Sequence, residues 1–533
     1  MNTVKRQEWT WVIVVSAMIV AAAALPYLTG YLAQTPDLRF SGSVIDQVDY
    51  HSHLAKMWQG YRGEWRYRLL FTSEPHRGAY VQTFYVALGH LARITRLELP
   101  AAYHLARSIF GFLMLLAIHR FICLFVPSTR TRRVAFLLAT IVSGLGWLTE
   151  ALVPTSPGGL SPIDFWLLDA FTYLAVLAFP HFCAAVALLL STYILLLKRA
   201  EGPNLWDGIL AVLASLVLGI IHPYALLLAD AVPLLYWSTE VLRKRRVNWG
   251  GLLVVVVMGI SQMALLIYDL WVFRTQPVFA AWAAQNVTLS PPPSAYLWGY
   301  GLLLVLGIVG LVVWARHGWP GLAFPLIWIV LVAVLTYIPW NLQRRFLEGV
   351  QVPLGLLAGV GLAEGLFPEP RGQRLSRPRW LAMALLVALA ATSNLYLTVG
   401  HTVAAASRDS RLFWPAEVVA GVDWLGKYTG PDDTVLSSFE VGNLIPGRIG
   451  HRVVLGHWME TIDYEKKHAA VARFFAADTP DEERVALLEE QGVAYLFYGP
   501  QEQALGAFDP EGSRHLLQRF SQDGVRVYAV NVP

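Results

Sequence analysis

The sequence predicts an α-helical polytopic membrane protein with about eleven transmembrane helices and a small α/β domain at its C-terminal end. Two observations predict it. The chain has 533 residues, of which 56% are hydrophobic and only 15% charged; its mean hydropathy is +0.48. Soluble domains carry about a quarter charged residues, so this surface needs a lipid solvent. The charge is also uneven: residues 401–533 hold 12 basic and 19 acidic residues, whereas residues 1–400 hold 29 and 18. The tail has the composition of a soluble domain. The pI of 8.9 does not point to nucleic acid, because the basic residues are scattered between apolar runs.

Apolar runs long enough to cross a bilayer, roughly 20 residues each, fall at 11–33, 103–126, 134–153, 180–198, 206–221, 223–240, 249–271, 295–315, 320–340, 349–366 and 379–400. Cytoplasmic loops collect Lys and Arg. Lys5 and Arg6; Arg130, Arg132 and Arg133; Lys198 and Arg199; Arg243 to Arg246; Arg316; and Arg371, Arg374, Arg377 and Arg379 all fall on one side if the eleven spans alternate. That places the N-terminus inside and the C-terminal domain outside. The first run, from Trp11 to Leu32, is too long for a signal peptide and reads as a retained helix. Residues 79–96 are apolar, but counting them as a span would invert every later loop, so they read as an interfacial or re-entrant helix. Cys123 and Cys183 lie in apolar stretches and do not form a disulfide framework.

Four longer regions then face outward: 34–102, 154–179, 272–294 and the domain from about 401, with a short loop at 341–348. The first holds Asp46 and Asp49, three apart, with His53 four further on, so that a helix puts them on one face. A carboxylate pair with an imidazole suits general-base work or a divalent metal such as Mg or Mn; the alternative is an acidic helix N-terminus. Trp58, Tyr61, Trp65 and Tyr67 follow, as sugar-stacking rings or as an interfacial aromatic belt. The second region carries Asp164 and Asp169; an acid among apolar residues near a membrane is a functional candidate. His181 and His222, each beside a proline, fall near the same face and are weaker candidates, since lone histidines more often only pack. Arg344 and Arg345, in WNLQRRFLEGVQVP, lie outside against the charge trend and suit a lipid phosphate, unless they pair with Glu348 or with headgroups.

The tail alternates helix and strand: helices at 415–428, 462–476 and 480–491, and strands at TVLSSF, HRVVLG, VAYLFYG and VRVYAVN. It contains no P-loop, GxGxxG, HExxH or GxSxG.

This layout, with Asp46-x-x-Asp49 in a long first loop and EPHRGAYVQTFYVALGHLARITRLELPAAYHLARSIFG leading to the second span, resembles the GT-C superfamily of membrane glycosyltransferases, the mannosyl- and aminoarabinose-transferases among them. The family's acidic pair is often Asp-x-Asp, so the spacing here leaves open which aspartate matches and whether metal takes part. The resemblance implies a polyprenyl-phosphate-linked sugar donor, a carboxylate general base acting on a glycan, lipid or protein acceptor, inversion at the anomeric carbon, and arginines on the departing phosphate. It also implies a cell-membrane location in contact with lipid. A transporter or flippase of a lipid-linked glycan, or a non-catalytic envelope assembly protein, is the alternative; a transporter places its charges near the bilayer midplane, whereas here they cluster at one face.

Overall fold

The structure is a computed structural model that describes residues 5–152, 161–202, 204–245, 247–318, 321, 323–369 and 375–531. Arg246, Arg371, Arg374 and most of the loop 154–160 lie outside the described residues. The chain is a polytopic α-helical membrane protein. Its described residues include seven helices long and apolar enough to cross a membrane, eight if Arg377–Ala390 and Thr392–Ala406, bent by 53°, form one span. That is fewer than the eleven expected, for local reasons. The run at 134–153 breaks into Thr129–Thr140 and Gly146–Leu152. Between them the Gly144 and Gly146 backbone N–H groups donate to buried Asp164, and the Asn394 side chain caps the carbonyl of Ile141. Leu205–Ile221 and Ala323–Leu335 are apolar but short.

The chain divides into two compact units. The first joins Met1–Leu25, Ala106–Ile267 and Val287–His401. At its centre residues 346–363, within the segment Gln343–Leu366, are all buried. Gly355 and Gly359 are four apart on this segment, and a Cβ on either would lie 2.4 Å from the Cα of Ala139 or Ala135. Small residues at this spacing let two membrane helices touch along their backbones.

The second unit joins Pro26–Leu105, Tyr268–Asn286 and Thr402–Pro533. Its four-stranded sheet has the order β3-β4-β6-β5, where β3 is Thr434–Leu436, β4 Val493–Tyr498, β5 Leu516–Gln522 and β6 Val525–Val530. The β3–β4 pair is parallel and the others antiparallel. Helices Ala416–Tyr428, Phe439–Ile449, Tyr464–Phe475 and Asp481–Glu490 accompany it. A two-stranded ladder, β1 (Leu38–Phe40) on β2 (Phe413–Pro415), ties the first long loop to the tail. The expected strand HRVVLG is not one: Val453 makes a single bridge to Val435 and gives its N–H to the carbonyl of Leu70. The stretch before it, FEVGNLIPGRI, is a helix capped by Ser438.

Residues 79–96 hold the helix Thr83–Thr95. Thirteen residues rise about 20 Å, short of a bilayer core of about 30 Å. The helix crosses Gln47–Arg62 at Gly60 and Gly89, where an added Cβ would meet a backbone oxygen at 1.9 and 2.0 Å. Leu91 and Ile94 remain exposed on its far side.

Candidate active site

In the second unit the site begins at a helix N-terminus. Asp46 is the N-cap of Gln47–Arg62, in the left-handed region at φ 46°, and its carboxylate accepts from the backbone N–H of Asp49 at 3.3 Å. Both readings of this aspartate pair therefore meet here, because Asp46 caps the helix whose first turn carries Asp49. Asp49 Oδ1 accepts from His457 Nε2 at 2.7 Å. The Asp49 side chain is 38% exposed and that of His457 5%. The backbone N–H of Met459 donates to His457 Nδ1 at 3.0 Å, which fixes the tautomer: the ring keeps its proton on Nε2 and gives it to Asp49. Burial opposes a second proton on this imidazole, while Asp49 and Glu460 favour one strongly enough to raise its pKa. A second proton would have to displace the Met459 N–H.

One turn beyond Asp49, His53 is buried and stacks on Tyr85 with ring centres 4.0 Å apart. Burial first, and then the Lys56 ammonium, push its pKa well down, so it is neutral. Behind it Glu460 accepts from Ser52 at 2.6 Å, Lys56 at 2.7 Å and Tyr67 at 2.5 Å. Burial alone would raise the Glu460 pKa; the Lys56 ammonium beside it, with the hydrogen bonds from Lys56 and Ser52, overcomes it and holds the group at about 2. This buried ion pair positions the segment that carries His457. Breaking it leaves an uncompensated buried carboxylate, so Lys56→Met is expected to cost about 3–5 kcal/mol, read as a lowered Tm of the detergent-solubilised protein. Glu460 has its pKa depressed on folding, so its contribution is present above the ordinary value of 4.5 and is lost as pH falls through about 2.

In the first unit a second polar constellation forms around Asp169. Arg345 Nη1 donates to both of its carboxylate oxygens, at 3.3 and 3.2 Å. Glu348 is 1% exposed and pairs with the ring of His222. His222 caps the helix Leu205–Ile221, and His181, at the start of Pro180–Glu201, lies 5.8 Å from it between ring centres. The Arg344 guanidinium lies 5.2 Å over the ring of Trp166. Asp169, Thr172, Phe182, Glu348 and Gln351 line a small cavity of ≈ 10 Å³, about the room of one water.

No family model and no curated protein matches the sequence. Solved structures do match the fold. The Archaeoglobus fulgidus oligosaccharyltransferase, tethered to an acceptor peptide, superposes with a TM-score of 0.52 over 92% of this chain and 69% of its own, at 16% identity. The mycobacterial arabinofuranosyltransferase AftD gives 0.55 over 97% of this chain and 40% of its own, at 14% identity. Apo ArnT from Cupriavidus metallidurans gives 0.52 over 98% of this chain and 97% of its own, at 13% identity.

The fold is that of the GT-C membrane glycosyltransferases.

Of the residues singled out from the sequence, the structure places Asp46, Asp49 and His53 at one helix, and Asp169, Arg344, Arg345, His181 and His222 in the other unit. The sequence reading missed His457 and Glu460, which lie about 400 residues from their partners in sequence. The only signal was the density of polar groups in GHWMET. Asp46 and Asp49 each have one carboxylate oxygen engaged, Asp46 as the helix cap and Asp49 by His457, and among the described residues no third carboxylate, His or Cys ligand atom converges on the pair. The one such trio among the described residues is Glu8, His119 and Cys123. There Arg132 already places a guanidinium 2.9 Å from the Glu8 carboxylate. Zinc and sulfate accompany another structure of the A. fulgidus enzyme.

Proposed function

We propose that this chain is a glycosyltransferase that moves a sugar from a polyprenyl-phosphate donor to an acceptor hydroxyl at the extracytoplasmic face of the membrane. The observation that carries the reading is Asp49, a partly exposed carboxylate at a helix N-terminus with one oxygen held by a tautomer-fixed histidine. Such a group is open to an acceptor from solvent, and its partner sets its orientation. In the reaction the acceptor oxygen attacks the anomeric carbon and its proton passes to Asp49. The bond from that carbon to the phosphate oxygen breaks, with inversion, and the lipid phosphate leaves with the electron pair. Arg344 and Arg345 are the cations proposed to stabilise it. Asp46 shapes the helix end, and His53, neutral and stacked, packs beneath Asp49. The polar cluster of Asp169, His181, His222 and Glu348 is the proposed seat of donor polar groups.

The test is sugar transfer by the purified protein from radiolabelled polyprenyl-phosphate sugars to envelope glycan acceptors. Labelled acceptor is the expected product; donor left intact with every sugar tried sinks the reading. The sidedness is tested separately. Glu482 is exposed on the helix Asp481–Glu490, and the two native cysteines are buried. Glu482→Cys is therefore expected to react with an impermeant maleimide on whole cells, and protection until lysis would invert the topology.

A further inference from the structure

Between the helix Gln47–Arg62 and the helix Thr83–Thr95 the chain makes a short two-stranded crossing. Tyr67 and Ala79 exchange both backbone hydrogen bonds, at 2.8 and 3.0 Å, and both side chains are buried. Because side chains alternate across extended backbone, Arg66, Arg68, Gly78 and Tyr80 share the opposite face, with Glu64 and Trp65 at its end. These six residues line an open groove of ≈ 360 Å³, within the range of ligand clefts, about 300–1,000 Å³.

The groove is built from aromatic surface and charge. Trp65 is 51% exposed; one face of its ring is backed by His90, with ring centres 4.1 Å apart. His90 is itself held by the carbonyl of Glu64 at 2.9 Å. Tyr80 is also 51% exposed, and Arg66 lies 5.4 Å over its ring. Arg68 bonds Glu64 at 3.3 Å and Asp432 at 2.8 Å. Both signs are present: Arg66 and Arg68 face Glu64 and Asp432, and Asp432 is shared with Arg452 at 3.5 Å. Flat rings with one open face match the C–H faces of pyranose rings, and carboxylate and guanidinium groups beside them match paired hydroxyls.

We infer that this groove is a saccharide subsite, which holds a neutral stretch of a glycan acceptor through Trp65 and Tyr80. The inference deepens the proposed function and rests on it for the identity of the acceptor. Its test is binding, which does not need transfer. Saturation-transfer NMR of the full-length protein in nanodiscs, with mannotriose, galactotriose and arabinotriose as probes, is expected to show contact with at least one. Trp65→Ala and Tyr80→Ala are each expected to weaken it at least tenfold. In a transfer assay Trp65→Ala is expected to raise KM for a long acceptor and leave kcat near its starting value.

No contact with any of the three sugars, or contact unchanged in both variants, overturns the inference even where transfer is intact. Binding with no transfer in any assay leaves the subsite standing and removes the enzyme reading. The other occupant is the membrane: a fluorophore on Trp65→Cys quenched by spin-labelled lipids would make these rings an interfacial belt and overturn the saccharide subsite.

Discussion

Asp49→Asn is expected to abolish detectable sugar transfer while the protein folds and melts as before. An amide oxygen still accepts from His457 Nε2, so the bond at 2.7 Å and the helix start survive. What is lost is the ability to take a proton. General-base catalysis contributes roughly 10²–10⁴-fold, so transfer should fall by that factor in purified protein at saturating donor. Asp46→Asn is the control. Asparagine caps helices about as well as aspartate, and the hydrogen bond from the Asp49 N–H is retained, so most activity should remain. Asp46→Ala should cost about 1 kcal/mol of stability and lower transfer indirectly, by loosening the turn that aims Asp49. Transfer by Asp49→Asn at the unaltered rate moves the base to another carboxylate. Asp169 is then tested next, although Arg345 already occupies both of its oxygens.

His457→Gln separates positioning from proton transfer. Glutamine can donate one hydrogen bond to Asp49 but cannot reproduce the ring held by Met459, so kcat should fall with a shifted pH profile and KM should move little.

The membrane class was legible because hydrophobicity is a property of composition. The position of Asp49 was legible because Asp, helix start and His spacing are local. The span count was not. The run at 134–153 is apolar nearly throughout, yet a buried carboxylate from Asp164, beyond the end of the run, captures the Gly144 and Gly146 N–H groups where the helix breaks. Hydropathy carries no trace of that bond. In the tail, HRVVLG has a strand's composition, but Val453 spends its N–H on Leu70 from the first loop. The missed strand β5 did have a local signal: Asp523 and Gly524 both take positive φ and form the two-residue turn that closes a hairpin with β6. His457 and Glu460 were invisible for a deeper reason. Their partners Asp49 and Lys56 lie about 400 residues away in sequence, and only the folded second unit brings them together.

The arginines carry the second large effect, and their surroundings decide which variant reads it cleanly. Arg345 neutralises Asp169, a carboxylate only 6% exposed. Arg345→Ala therefore strips a buried charge of its partner and should cost about 3–5 kcal/mol of stability, whatever the residue does for a ligand. A loss of donor binding in that variant alone proves nothing about phosphate. Arg345→Lys keeps the charge beside Asp169 but loses the planar fork that grips two phosphate oxygens at once. Arg344 lies over Trp166, a contact worth about 0.5–1 kcal/mol, so Arg344→Ala should leave Tm nearly unchanged. Both variants are expected to weaken donor-lipid binding by roughly 1.5–3 kcal/mol, on the order of 10- to 100-fold in Kd. The measurement is titration with a fluorescent polyprenyl phosphate at fixed salt. The clamp reading requires the loss to persist with inorganic-phosphate-free buffer and to shrink when the phosphate is removed from the probe lipid. Donor affinity unchanged in both Arg344→Ala and Arg345→Lys would remove the phosphate from this site, and leave Arg345 as the ion-pair partner of the buried Asp169.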